Sequence, residues 1–332
     1  MTPKTRPPAP RQPRRKTAPA PPPTASIETI PLAVGKKAHP AIGLGLWGLG
    51  RWTGEDEART KATIARAYER GLRWFDSAEV YGSGRSERVL GEVLHRTSAA
   101  GTDAYIVTKV SWEHLRPTQV RAALVGSLER LGRSSVDLYL IHAPDPRVPM
   151  AGTMAALETL WKEGKVGAIG VSNFSQEQLE EASRHLAETR IVVNQVRYNL
   201  FDRDEADPVL DYCRSHGILL EAYTPLARGL LHGRYLDGKR IPAEVRKFAH
   251  RLFEPDRLPE IIQRTQELRD LATEAKVPLA SIAFHWLRSR GAVPVFGASR
   301  PEQVDQNLAA WAVRPPAKVL ARADRIAQGV RA

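Results

Sequence analysis

The stretch Phe75-Asp-Ser-Ala-Glu-Val-Tyr-Gly82 decides how this chain is read. Before it, Gly71-Leu-Arg-Trp-Phe75 reads as a short apolar strand. After it, Gly82-Ser-Gly84 reads as a turn, and residues 86–94 have helical spacing. An acid, Asp76, therefore stands where a strand ends, and Tyr81 stands in the loop just beyond. In a parallel α/β barrel the strand C-termini form the catalytic face.

Working outward, the same alternation repeats. Strands are predicted at 42–46, 73–77, 104–109, 136–141, 166–171, 191–195, 218–223 and 292–296. Helices are predicted between them at 55–70, 86–97, 117–131, 154–163, 175–189 and 207–216. A long loop region, 224–259, precedes helices at 260–275 and 279–289; two more follow the last strand at 301–312 and 316–327. Eight strands joined by crossovers predict the α/β class, a (β/α)8 TIM barrel with extra C-terminal helices. The strands are short and continuously apolar, as expected when both faces are buried. Residues 26–34 alternate apolar and polar before the turn Gly35-Lys-Lys37, which predicts an N-terminal β-hairpin. Gly43-Leu-Gly-Leu-Trp-Gly48 matches G-x-G-x-x-G, but Gly50, Trp52 and Gly54 delay the next helix to Glu55. No acid stands about 20 residues on, so the doubly wound dinucleotide fold is set aside.

Six of the twelve excess positive charges lie in residues 1–24, together with nine prolines and no acid. Proline disfavours helix, and too little apolar surface is present to offset the entropy of ordering. Residues 1–25 are expected to be a disordered Pro/Arg-rich tail, and residues 26–332 the barrel domain. The tail lacks the apolar core of a secretory signal, and its prolines disfavour an amphipathic transit helix. A nucleic-acid or anionic-surface arm is the alternative. A barrel of about 300 residues buries roughly 75% of its extended surface and needs no disulfide or metal. The one cysteine, Cys213, is expected to be a buried core thiol. No apolar run approaches the ~20 residues of a membrane helix, and a cytoplasmic location is expected. Oligomeric state is not legible.

Four polar residues stand at or just past strand ends: Asp76, Tyr81, Lys109 and His142. A lysine closing the apolar run Tyr105-Ile-Val-Thr-Lys109 needs a partner to be buried, and Asp76 on the neighbouring strand is the obvious one. Each residue alone has a plain structural reading: an ion pair, a loop aromatic, a core histidine. Their convergence on one barrel face favours chemistry. A free phenol, pKa ~10, is a poor acid at neutral pH. An ammonium about 4 Å away at an effective dielectric of about 20 is worth ~4 kcal/mol. Lys109 is therefore expected to lower the Tyr81 pKa by up to ~3 units at ~1.36 kcal/mol each, less the screening by Asp76. Tyr81 would give a proton to a carbonyl oxygen that His142 orients.

Phe75-Asp76-x4-Tyr81-Gly82, Thr108-Lys109, Ile141-His142 and Gly170-Val-Ser-Asn-Phe174 resemble the aldo-keto reductase family, over residues 27–308. The resemblance implies NADPH-dependent reduction of small aldehydes or ketones, with NAD(H) as the alternative cofactor. It implies the tetrad Asp76, Tyr81, Lys109 and His142, with Tyr81 as the acid. Gly45 and Trp47 match the family's loop after strand one. Ser172, Asn173 and Gln195 match the residues that hold the nicotinamide carboxamide, and their groups both donate and accept; Gln195 alone could be a structural amide. Tyr223 matches the aromatic that stacks on the nicotinamide, with core packing as the alternative. Thr224, Pro225, Leu226, Arg228 and Gly229 resemble the pyrophosphate loop. Gly297, Ser299, Arg300, Gln303, Gln306 and Asn307 resemble the adenosine-phosphate segment, at a helix start that attracts anions. Arg300 is the expected 2′-phosphate partner.

The chain departs from the family at Leu46, where threonine is common, at Thr224, where serine is common, and at Gln306, where glutamate is usual. Gly297 stands where some members carry lysine. The motifs lie nearest the bacterial and potassium-channel β-subunit-like branches. A cofactor-sensing subunit with slow turnover, and an enzyme tethered by its basic tail, are the competing functional readings. The substrate is not legible; it would be set by loops at 51–54, 114–116, 147–150 and 231–258, with Trp52 and Trp112 as candidate pocket walls.

Overall fold

In the computed structural model, residues 27–35, 37–47, 54–97, 103–242 and 250–328 are described. The expected tail (1–25), most of loop 51–54 and part of loop 231–258 lie outside them.

Eight parallel strands close a barrel: β3 (Gly43–Gly45), β4 (Trp74–Asp76), β5 (Tyr105–Val110), β6 (Leu138–Ile141), β7 (Ile169–Ser172), β8 (Ile191–Arg197), β9 (Leu219–Tyr223) and β10 (Ala292–Gly297). Pairing is sequential, and β10 closes on β3 with Val295 opposite Gly43. Helices α1 (Gly54–Glu69), α2 (Arg85–Thr97), α3 (Pro117–Leu131), α4 (Met150–Lys162), α5 (Gln176–Arg184) and α6 (Asp207–Ser215) follow β3 to β8 in turn. Between β9 and β10 come α7 (Leu258–Glu274) and α8 (Leu279–Ser289); α9 (Pro301–Ala312) and α10 (Ala317–Gln328) end the described chain. Helices α7 and α10 pack on each other and on α8 outside the ring, as the extra helices.

Side chains alternate along each strand, and the alternation divides the core in two. Phe75, Ile106, Tyr139, Ile141, Val171 and Phe296 face outward into the layer beneath the helices. Trp74, Tyr105, Val107, Leu138, Leu140 and Val293 face inward and fill the barrel. The hairpin, β1 (Thr29–Ile30) paired with β2 (His39–Pro40), has only two residues per strand. Its Ile30, Leu32 and Val34 pack on the interior cluster, so it plugs the N-terminal end of the barrel. Gly43 lies against Trp74: a Cβ there would meet the indole at 2.2 Å.

Two helix boundaries differ from the sequence reading by four or five residues, each because of a tertiary contact. Helix α4 starts at Met150 rather than 154, because Met150 and Thr153 are buried and the Thr153 hydroxyl donates to Leu115 O at 2.7 Å. Helix α5 stops at Arg184 rather than 189, because Glu158 Oε1 of α4 accepts the backbone N–H groups of Ala187, Glu188 and Thr189. Ser175 is its N-cap, with a capping box to Gln178. Cys213 is buried, and burial pushes its thiol up to about 12.

Candidate active site

The inward positions turn polar at the C-terminal end of the barrel. Asp76 is the last residue of β4, Lys109 the penultimate residue of β5, and His142 directly follows β6. Lys109 has no exposed surface, yet its three ammonium hydrogens meet three acceptors. Nζ donates to Asp76 Oδ1 at 2.6 Å, to Ser77 O at 2.8 Å and to Tyr81 Oη at 3.4 Å. An ammonium accepts nothing, so the Tyr81 oxygen accepts from Lys109 and its own proton is left to point elsewhere. The loop after β4 delivers Tyr81 here because Ser77 N and Glu79 N bond the carbonyls of Val107 and Lys109 on β5.

The electrostatics correct one expectation. Tyr81 is not lowered; burial of the phenol outweighs the Lys109 charge and raises its pKa to about 12. Burial also raises Asp76, against the pull of Lys109. Lys109 is raised: its burial opposes the charge, but the Asp76 carboxylate and other acceptors hold the proton. His142 is pushed down to about 3 by burial and the Lys109 charge, so it is neutral. Its ring meets Tyr81 and Trp112 edge-on, at 5.5 and 5.7 Å between centroids. The His142 Nδ1 is buried with no partner.

A groove of about 430 Å³ opens over these residues, lined by Asp76, Tyr81 and His142 at one end. Ser172, Asn173, Gln195 and Tyr223 form its next wall. Asn173 is held in a left-handed backbone conformation (φ 62°), its Nδ2 donating to His142 O and its Oδ1 accepting from Tyr223 Oη. The loop after β9 follows with Thr224, Pro225, Leu226, Arg228 and Gly229. Thr224, Ala227 and Arg228 all have positive φ, a concentration of strain typical of ligand-binding segments. The Arg228 guanidinium lies 4.7 Å from the ring of Trp47, which with Gly45 lines the opposite lip. Gly297, Ser299 and Gln303 complete the far end, with Gln303 Oε1 accepting from Ser299 N.

Lys109 lies buried beneath the groove, and three of the expected cofactor-binding residues do not line it. Arg300 is exposed at the start of α9 and faces Glu302 at 3.7 Å. Gln306 is exposed on α9. Asn307 is buried and accepts from His232 Nε2. The groove includes His232, Arg234, Val295 and Ala298, which the sequence reading missed. Arg234 sits in an aperiodic loop, where nothing in the spacing marks it. Burial lowers the pKa of both Arg228 and Arg234, and neither has a carboxylate partner among the described residues. Two guanidinium groups without carboxylate partners among the described residues, Arg228 partly buried and Arg234 exposed on the groove, suit a phosphate-bearing ligand.

The Aldo/keto reductase family model matches residues 41–328. An uncharacterised oxidoreductase of Mycobacterium tuberculosis is 35% identical over 275 residues, 81% of this chain and 83% of that protein. A probable voltage-gated potassium channel subunit beta of Oryza sativa is 30% identical over 78% of this chain and 84% of its own. The NADH-specific methylglyoxal reductase of Escherichia coli is 28% identical over 86% and 93%. The glycerol dehydrogenase structure from Gluconobacter oxydans superposes with a TM-score of 0.82 at 27% identity, covering 91% of this chain and 95% of that one. An aldo-keto reductase from Klebsiella pneumoniae in complex with NADPH superposes with a TM-score of 0.72 at 28% identity, covering 91% and 95%. The chain belongs to the aldo/keto reductase family and is an NAD(P)H-dependent oxidoreductase.

Proposed function

We propose that this protein reduces small aldehydes and ketones to alcohols with NADPH, Tyr81 supplying the proton. One observation carries the reading: Lys109 Nζ bonds Asp76 and Tyr81 Oη together, beside a neutral His142, at the floor of the groove. NADPH, when bound, supplies the hydride. Asn173 and Gln195 would hold its carboxamide, Tyr223 its ring, and Arg228 and Arg234 its phosphates. Arg234, rather than Arg300, lines the groove and is our candidate for choosing NADPH over NADH.

Tyr81 directs its Oη proton at the carbonyl oxygen, and His142 donates a second hydrogen bond that orients it. Hydride arrival would leave an alkoxide, about as basic as hydroxide, whose conjugate acid water has a pKa of 15.7. A phenol near 12 is a stronger acid than that, so the transfer runs downhill although Tyr81 is raised. Lys109 then bonds the tyrosinate through the hydrogen already aimed at it.

The test is turnover of an aldehyde panel with each cofactor, followed by loss of reduced-nicotinamide absorbance. We expect NADPH-dependent turnover, with kcat/KM falling about tenfold with NADPH when Arg234 is changed to Ala, as for one lost charged hydrogen bond. No turnover of any aldehyde by cofactor-bound protein would contradict the reading. Tightly retained nucleotide with very slow turnover would instead favour a cofactor-sensing subunit, as the channel-subunit relative suggests.

A further inference from the structure

Beneath the catalytic residues a second set of polar groups runs down the sealed half of the barrel. Gln195 Nε2 donates to Asp76 Oδ2 at 2.8 Å, across the barrel from β8 to β4, and to Glu221 Oε2 at 2.5 Å. Glu221 Oε1 lies 2.8 Å from His39 Nε2, and His39 Nδ1 lies 2.7 Å from Pro40 O. Glu221 and His39 have no exposed surface. The His39 ring is gripped edge-on by Trp74 and Tyr105, at 4.3 and 4.8 Å. A buried carboxyl and a buried imidazole inside an apolar barrel are costly unless hydrogen-bonded, and here they bond each other, Pro40 O and the Gln195 amide.

Hydrogen-bond bookkeeping fixes what they do. A primary amide has two N–H donors, and both of Gln195's are spent on carboxyl oxygens. Reversing the amide would bring its oxygen against the same two oxygens, so only one orientation is available. The Gln195 oxygen is therefore the atom left to face the groove, as an acceptor. Glu221 sets this orientation, and His39 sets Glu221. Pro40 O only accepts, so Nδ1 donates; Nε2 then shares one proton with Glu221 Oε1 whichever atom carries it. The chain is not a route for protons, because Gln195 has no titratable atom to pass one on.

We propose that Glu221 and His39 are positioning residues: from the plugged end of the barrel they lock the Gln195 amide with its oxygen toward the groove, so that it accepts an N–H from the bound ligand, and they leave Asp76 one oxygen for Lys109. The ligand half of this rests on the functional reading above, that a nicotinamide nucleotide occupies the groove.

The test measures the NADPH dissociation constant by nucleotide fluorescence for wild type, Glu221→Gln, Glu221→Leu, His39→Gln and Gln195→Ala, and for Glu221→Leu in the Gln195→Ala background. Glu221→Leu is expected to weaken NADPH binding about tenfold, the effect of about one lost hydrogen bond. Glu221→Gln can still bond both neighbours, and is expected to recover most of that loss. In the Gln195→Ala background Glu221→Leu should have no further effect, because its influence passes through the amide. Equal losses in both backgrounds, or wild-type affinity in a folded Glu221→Leu or His39→Gln protein, would overturn the proposal. Should Glu221→Leu not fold, wild-type affinity in a folded Glu221→Ala protein, which likewise removes the acceptor of the Gln195 amide, would do the same. A wild-type protein that binds no nicotinamide nucleotide overturns the functional reading itself and the ligand half with it.

Discussion

Tyr81 and Lys109 show why a short distance does not by itself decide a pKa. The ammonium hydrogen aimed at the phenol favours the phenolate, but Asp76 claims much of that charge and burial penalises any anion here. Tyr81 therefore keeps its proton at neutral pH, as the proposed role as acid requires. Lys109 in turn depends on Asp76. Lys109→Met would leave the Asp76 carboxylate buried without a counter-charge, and we expect a loss of about 3–5 kcal/mol in urea unfolding; a loss under about 1 kcal/mol would contradict the pairing. His142 gives a pH prediction. Its folded pKa, about 3, lies below its ordinary value of 6.5. As pH falls from about 6.5 toward 3 the unfolded chain takes up this proton and the folded chain does not, so stability falls across that window. His142→Gln should flatten this part of the profile; identical slopes for both proteins between about pH 6 and 4.5, inside that window, would contradict it.

At the scale of elements, the loop between α5 and β8 depends on Glu158. Its Oε1 gathers three backbone N–H groups, which hold its carboxyl below the usual range. Glu158→Ala should lower Tm by about 2–4 °C per kcal/mol of the ~1–3 kcal/mol that unpaired groups cost. The kcat of the folded fraction should be unchanged; lost activity at full stability would contradict a structural role. Strand parity explains what the sequence disclosed. Asp76, Lys109, Gln195 and Tyr223 end apolar runs, where a polar side chain must either reach the open barrel mouth or find a partner. Glu221 carries a weaker signal two residues before Tyr223, on the same face, because it stands within an otherwise apolar run rather than at its end. His39 and Arg234 lie in segments with no periodicity, so the sequence marks neither. The ends of α4 and α5 were set by tertiary hydrogen bonds, which local spacing does not encode.

Across the whole molecule, the fold plugs one end of the barrel with apolar hairpin side chains beside the buried Glu221–His39 pair, and opens a polar groove at the other. The barrel was legible because each of its eight strands is apolar on both faces and separated by a helix-spaced segment. Among the described residues no helix is long and apolar enough to cross a membrane. Among the described residues, those that line the groove lie between Gly45 and Gln303. Deleting residues 1–25 is expected to leave kcat/KM within about twofold, as for a terminus outside the barrel domain; a tenfold loss would assign the tail a part in catalysis.

The account rests on the Tyr81 proton, and single-turnover oxidation of bound NADPH by an aldehyde tests it most directly. Tyr81→Phe keeps the ring and removes only the hydroxyl. We predict a rate 10²–10⁴-fold lower, the usual contribution of a general acid, with the NADPH dissociation constant within about threefold of wild type. A Tyr81→Phe rate within about tenfold of wild type would show that another group delivers the proton.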